Sequence, residues 1–294
     1  MRVLVGGATG YLGRHLAGEL KSRGHTVRGL ARGADRLSAM QDRIDEIVVA
    51  DATDRTSLRG CCDGVDVVLS AIGIMGRSRN NPGEVDLGAN LNLLEEARAG
   101  GVRKFIYTSV LQRPGMEKLK IVRAKRAFEQ ELQRSGIPFA VLRPNGFFSD
   151  MDQFLAMAVK GRAFVFGGGR FEINPIDGAD VARVAADAID GEETLIEFGG
   201  PELLTYRRVA EAAFAAVGKP VKVSSAPVWV ARALLALLRH LTPARVHAAP
   251  EFVLTVLSHD MIAPGVGEVK LREHFLEAVE RERTADVPAG QSRQ

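Results

Sequence analysis

Three glycines near the start of the chain are spaced so that a phosphate can be held against bare backbone. The segment Gly7-Ala8-Thr9-Gly10-Tyr11-Leu12-Gly13 follows a short apolar run and opens a helical pattern. Glycine at 7 permits a tight turn, glycine at 10 lets the backbone approach a pyrophosphate, and glycine at 13 lets a helix pack closely on a strand. Free N–H groups and the dipole at the helix start then attract phosphate charge. The spacing is G-x-x-G-x-x-G rather than the commoner G-x-G-x-x-G, and turns also collect glycine for steric reasons. The strand–turn–helix context favours nucleotide binding, with Gly7, Thr9, Gly10, Tyr11, Leu12 and Gly13 as cofactor-binding residues. A second position bears on which nucleotide. NAD-preferring sites place an acidic residue at the end of the second strand, on the ribose 2′-hydroxyl. Here residues 28–33 read Arg-Gly-Leu-Ala-Arg-Gly, and no carboxylate follows until Asp35. Arg32 stands where a guanidinium could pair with a 2′-phosphate, the alternative being a solvated strand-end arginine. NADP(H) is expected over NAD(H).

These residues need a scaffold, and the pattern of the first two thirds supplies one. Short apolar runs at 2–6, 26–31, 44–50, 65–72, 103–109 and 139–142 predict strands too short to be buried helices. Helical stretches at 11–24, 35–40, 53–61, 85–99 and 117–135 separate them. Alternating strands and helices, with nearly continuous Val/Ile/Leu in the strands, imply a parallel sheet covered on both faces. Right-handed crossovers make this an α/β, Rossmann-type doubly wound fold. After Pro144 the texture changes to short apolar pieces, a Gly167-Gly168-Gly169 cluster and helical candidates at 179–189, 205–217 and 228–241. The expected organisation is a nucleotide-binding domain at 1–145, a smaller substrate lobe at 146–280 interleaved with late sheet elements, and a polar tail at 281–294. The 228–241 segment, with Trp229 and a run of leucines, reads as a core helix, with a partner subunit or a membrane surface as alternatives.

Composition narrows the classes. With 294 residues, 46% of them hydrophobic, the chain is too apolar for disorder and long enough to bury a core without staples. A net charge of +3 makes no electrostatic case for nucleic acid. Cys61 and Cys62 are the only thiols, and adjacent cysteines rarely reach disulfide geometry, so they read as small residues in a reduced compartment. No histidine or second cysteine cluster supplies metal-ligand spacing. No leader pattern opens the chain, and no apolar run reaches the length of a membrane span. The expectation is a cytoplasmic monomer or homodimer that acts on a small molecule, with peripheral membrane contact open.

Taken together, Gly7–Gly13, Arg32, Asp51-Ala52 after the third strand and Ala71-Ile72-Gly73 after the fourth resemble the atypical short-chain dehydrogenase/reductase superfamily. Residues 135–148 and 174–182 are similar to its NmrA-like, NAD(P)H-binding branch. The resemblance implies that Asp51 and Ala52 lie beside the adenine and that Ala71, Ile72 and Gly73 follow the ribose on the nicotinamide side. It also exposes a departure. Catalytic members carry Tyr-x-x-x-Lys, whose spacing of four sets both side chains on one helix face. Lys125 occupies the lysine position, but Ile121 stands where the tyrosine belongs, and isoleucine donates no proton. Tyr107 is the nearest other tyrosine in sequence. Three readings follow: Lys125 serves as proton donor or substrate anchor, water supplies the proton, or the cofactor is held without turnover. On the substrate side, Met75, Asn145, Phe147 and Phe148, with Met151, Phe164 and Phe166, suggest an apolar or flat ligand, core packing being the alternative. The expected function is an NADPH-dependent reductase of a small, largely apolar carbonyl or activated alkene. The alternative is a non-catalytic NADP(H)-binding regulator or assembly factor. The missing tyrosine argues against a nucleotide-sugar epimerase.

Overall fold

The computed structural model describes residues 1–74 and 81–285. Six strands arise in the order the apolar runs predict: β1 (Arg2–Gly6), β2 (Thr26–Ala31), β3 (Glu46–Val49), β4 (Val67–Ser70), β5 (Lys104–Thr108) and β6 (Phe139–Pro144). The chain then forms β7 (Ala163–Phe166) and β8 (Glu172–Ile173) outside that sheet and returns to it as β9 (Leu195–Phe198). The sheet runs β3-β2-β1-β4-β5-β6-β9, and every neighbouring pair is parallel. Strand order reverses between β1 and β4, so a crevice opens at their carboxyl ends, where doubly wound folds hold ligands. The Rossmann-type α/β architecture expected from the sequence is present.

Alternation along the strands divides the core between two faces. Val3, Val5, Val67 and Leu69 point to the side covered by α1 (Tyr11–Ser22), where Leu12, Leu16 and Leu20 are buried. Leu4, Val68 and Phe105 point to the other, beneath Leu93 and Phe128. The short α2 (Ala34–Ser38) follows β2, whereas α3 (Asn90–Ala99) and α4 (Lys120–Arg134) carry Leu93 and Phe128. Beyond β6 come α5 (Phe148–Val159), α6 (Gly178–Asp187), β10 (Leu204–Thr205), α7 (Tyr206–Val217), β11 (Val223–Ala226), α8 (Val228–Leu241), α9 (Ala244–Val256) and α10 (Leu271–Ala285). α6 joins α1 on the first face through Val181 and Ala185. α5, α7 and α10 enclose a separate core around Phe154, Tyr206, Phe214 and Phe275.

The structure differs locally from the sequence reading in three places. Of the helix expected at 53–61, only a 3-10 turn at Arg55–Leu58 forms. There Asp51 accepts from Thr53, Asp54 caps Thr56 and the Ser57 hydroxyl takes two carbonyls, so side chains satisfy backbone groups a helix would use. The helix expected from residue 85 begins as a wider π turn, Gly83–Ala89, with the buried Asn90 amide donating to the carbonyls of Val85 and Asp86. The polar stretch from 281 continues α10 as far as Ala285. Among the described residues, no helix is long and apolar enough to cross a membrane.

Candidate functional site

The glycine turn joins β1 to α1 at the centre of the carboxyl edge. Gly7 adopts φ +76°, and the Gly7 and Ala8 amides both donate to the Leu30 carbonyl at 3.0 and 3.2 Å. The turn is thereby tied to the end of β2, two residues before Arg32. A Cβ at position 13 would lie 2.2 Å from the Gly7 carbonyl oxygen and 2.8 Å from Ala8, so only glycine lets α1 approach the turn this closely. Gly10 caps α1 without a side chain in the way. Among the described residues, the amides of Thr9, Tyr11 and Leu12 donate to no protein acceptor. Bare amides at a helix N-terminus beside a glycine fit a pyrophosphate by charge and by space. The Tyr11 hydroxyl accepts from the Gly178 N–H at 3.1 Å and lies 3.5 Å from Asp177. Burial, then the Asp177 charge, raises its pKa above the ordinary phenol value, so it locks α1 to α6 as a neutral group.

Arg32 is exposed just past β2 and, among the described residues, forms no ion pair. Across from it, past the end of β3, the Asp51 carboxylate accepts from the Thr53 N–H at 3.0 Å and hydroxyl at 2.8 Å. Those bonds, with a smaller contribution from the Arg32 charge, lower the Asp51 pKa. Ala52 is buried, and its carbonyl accepts from Asn92 at 3.0 Å. Ala71 extends the β1–β4 pairing by donating to Gly6 at 3.0 Å, and the Ile72 carbonyl accepts from Asn90 at 3.2 Å. Gly73 is exposed, and a Cβ there would lie 3.1 Å from the Lys125 Nζ. Met75 lies outside the described residues.

Lys125 emerges from α4 beneath this strand-end loop. Its side chain is 10% exposed, and its Nζ lies 3.0 Å from an oxygen of the fully buried Asp86. The Nζ also stands 5.4 Å from the centre of the Tyr107 ring. A lysine that gives up a proton near neutrality needs a lowered pKa. Burial pushes Lys125 that way, but Tyr107 and Asp86 outweigh it, and the ammonium is held above its ordinary value. Ile121 is buried one turn earlier. The Tyr107 hydroxyl is buried with no hydrogen-bond partner among the described residues, and burial raises its pKa. Behind Lys125, Glu129 accepts from Ser109 and from Arg143 at 2.6 Å, and Arg143 reaches Glu197 at 3.0 Å. This chain of charges fastens α4 to the ends of β5, β6 and β9. Glu129 follows Lys125 by four on the buried stripe of α4, a spacing visible in sequence, whereas nothing in the sequence marks Asp86 as its partner.

The residues after β6 divide. The Asn145 amide donates to Asn174 at 2.7 Å and to the Met261 carbonyl at 2.6 Å, which stitches three segments together. Phe147 is half-buried with its ring 5.8 Å from that of Tyr11, at the turn. Phe148 and Met151 are buried in the core of the second lobe, Phe148 against His274. Phe164 and Phe166 contact each other on β7, which pairs with β11 and not with the central sheet. Among the described residues, no cluster of His, Cys, Asp or Glu could hold a metal.

Comparison with known proteins gives the family to which this fold belongs. A family model described as NAD(P)H-binding matches residues 7–192. Divinyl chlorophyllide a 8-vinyl-reductase of Zea mays is 29% identical over 98% of this chain and 82% of its own. The (4-alkanoyl-5-oxo-2,5-dihydrofuran-3-yl)methyl phosphate reductase of Streptomyces griseus is 31% identical over 79% of this chain and 80% of its own. Photosystem II assembly factor Ycf39 of Synechocystis is 26% identical over 65% of this chain and 59% of its own. Among solved structures, the NADPH complex of the Escherichia coli quinone oxidoreductase QOR2 shares the fold, with a TM-score of 0.69, 20% identity and coverage of 95% and 100%. The chain belongs to the NAD(P)H-binding family.

Proposed function

We propose that the protein is an NADPH-dependent reductase of a small, largely apolar carbonyl or activated alkene. The observation that carries the cofactor assignment is the combination of open amides at the start of α1 with an exposed Arg32, free of ion pairs among the described residues, where NAD-preferring sites carry a carboxylate. In this reading the amides of Thr9, Tyr11 and Leu12 hold the pyrophosphate, and Arg32 holds the 2′-phosphate. Asp51 and Ala52 flank the adenine. Ala71, Ile72 and Gly73 follow the ribose, with Lys125 beneath them. NADPH, when bound, supplies the hydride. Lys125 acts as an anchor, because Asp86 keeps its ammonium charged. The proton that completes the reduction comes from water, since Ile121 offers none and Tyr107 is sealed. The reductase assignment is supported by two relatives, one named a vinyl-reductase and one a reductase of an oxo-dihydrofuranyl methyl phosphate.

A second reading has its own support. Ile121 leaves the site without the usual proton donor, and one relative is named an assembly factor. The chain would then hold NADP(H) without turnover. NADPH absorbance followed with a panel of quinones, enones and aldehydes separates the two. Substrate-dependent oxidation of NADPH is expected. Persistent absence of turnover while NADPH still binds overturns the reductase and leaves the regulator.

A further inference from the structure

Arg14 stands where the electrostatics of a helix disfavour it. It closes the first turn of α1, at the positive end of the dipole, and no acidic residue shares that turn. Gly10, Tyr11, Ala17 and Gly18 lie three or four residues away, so no carboxylate of α1 is spaced to pair with it. Arg23 of the same α1 connection, by contrast, pairs with Glu19 at 2.7 Å. Arg14 is exposed and, among the described residues, forms no ion pair. Its Nε donates to the Gly10 carbonyl at 3.4 Å, which leaves both Nη groups without a protein acceptor among the described residues. A bound anion would remove the conflict with the dipole and take up those donors.

The flank that Arg14 occupies gives its direction. Tyr11 and His15 face α6, since a Cβ on Gly178 would fall 2.5 Å from His15 and 2.9 Å from Tyr11. Leu12, Gly13 and Leu16 are buried. Arg14 shares the remaining flank with Gly18, one turn on, where a Cβ would meet the Arg43 side chain at 3.8 Å. Arg43 belongs to the connection from α2 to β3, so this flank is the one turned towards β2 and α2. The bond to Gly10 draws the guanidinium back to the glycine turn. From there the Gly10 N–H donates to Gly7 at 2.9 Å, and the Gly7 N–H donates to Leu30 of β2 at 3.0 Å. Arg32 follows two residues later, also exposed and without an ion pair among the described residues. Two guanidinium groups with no carboxylate partner thus border the junction of the glycine turn and β2. A phosphate monoester carries about −1.5 to −2 charge near neutrality, enough to neutralise both. The 2′-phosphate is the group by which NADPH differs from NADH. We propose, resting on the NADPH reading above, that Arg14 is a second specificity-determining residue, closing with Arg32 on the 2′-phosphate.

Equilibrium titration tests this without turnover. The parent and Arg14→Gln are titrated with NADPH, NADH and adenosine 2′,5′-bisphosphate. Arg14→Gln should weaken NADPH and the bisphosphate each about tenfold and change NADH by less than about twofold. Arg14→Lys, which keeps the charge without the planar fork, should recover part of the loss. The melting temperature of Arg14→Gln without nucleotide should be no lower than the parent's, since Arg14 is exposed and opposes the helix dipole. Full NADPH affinity in Arg14→Gln, while Arg32→Asp still loses its preference, would overturn the role of Arg14 and leave the NADPH reading standing. Equal weakening of NADPH and NADH would also overturn it, by assigning Arg14 to the pyrophosphate. A parent that binds NADPH and NADH alike would overturn the NADPH reading and the role of Arg14 together.

Discussion

Replacing Lys125 by methionine removes one half of a buried ion pair and leaves the other half in place. Asp86 is 0% exposed, and one of its oxygens already lacks a hydrogen-bond partner among the described residues. Without Lys125, its other oxygen keeps, among the described residues, the Ile74 N–H at 3.4 Å. Stranding a buried charge in this way costs about 3–5 kcal/mol. At roughly 2–4 °C of Tm per kcal/mol, the expected fall is about 6–20 °C. Adding Asp86→Asn removes the stranded charge, so the double variant should recover most of the loss, to within about 1–2 kcal/mol of the parent. Urea unfolding followed by circular dichroism measures all three proteins. The sign of the pH dependence follows from the raised Lys125 pKa. The ion pair contributes fully below the ordinary lysine value of 10.5 and fades as pH climbs towards the higher folded value. The gap between parent and Lys125→Met should therefore close only above about pH 10.5. A single-variant loss below about 1 kcal/mol, or a double variant no more stable than the single, would refute a charged lysine held by Asp86.

Three further outcomes are expected. Arg32→Asp should weaken NADPH binding roughly 10–100-fold, the loss of a charge-assisted contact, and shift NADH binding far less; equal loss in titrations with both cofactors sinks the 2′-phosphate assignment. Gly13→Ala, whose Cβ meets the Gly7 carbonyl at 2.2 Å, should destabilise by about 1–3 kcal/mol and impair NADPH binding. Gly18→Ala in the same helix, with its nearest contact at 3.8 Å, should stabilise by roughly 0.5–1 kcal/mol, so a thermal-shift comparison that ranks the two alike contradicts the packing argument. The hydrogen bond from Lys21, then that from the Val27 N–H, depresses the Asp45 pKa below 3.8. Its stabilising share is present above that value and lost as pH falls through the folded value, so Asp45→Asn should flatten the acid limb of stability below about pH 4.

The central sheet was legible because its strands are covered on both faces and therefore read as unbroken apolar runs bounded by turns. The glycine turn was legible because position 13 tolerates no side chain at all. Lys125 could be placed by its spacing, but Asp86 could not. An acid in a polar segment carries no mark of burial until a π turn carries it under a strand end. Phe148 illustrates a different limit. An apolar residue just past a strand end has the same sequence pattern whether it lines a ligand cavity or packs a lobe, and here it lies against His274 in the lobe core. α9 escaped notice because Pro250 sits inside it. α8 was expected at 228–241 but as a core helix, because its inward and outward leucines alternate too closely for composition alone to separate, and Leu234, Leu237 and Leu241 are in fact exposed.

The position of β9 has a consequence for how the chain is made. β6 ends at Pro144, and its partner begins only at Leu195, so 50 residues of the second lobe must be translated in between. At ~5–20 residues per second, the β6 edge waits roughly 3–10 s before it is covered. An open parallel edge of Phe-Ala-Val-Leu is a template for strand addition by any other nascent chain. The edge that closes last is thus the one most in need of a chaperone during synthesis. Slowing the ribosome over residues 145–194 should lower the soluble yield without altering the finished protein.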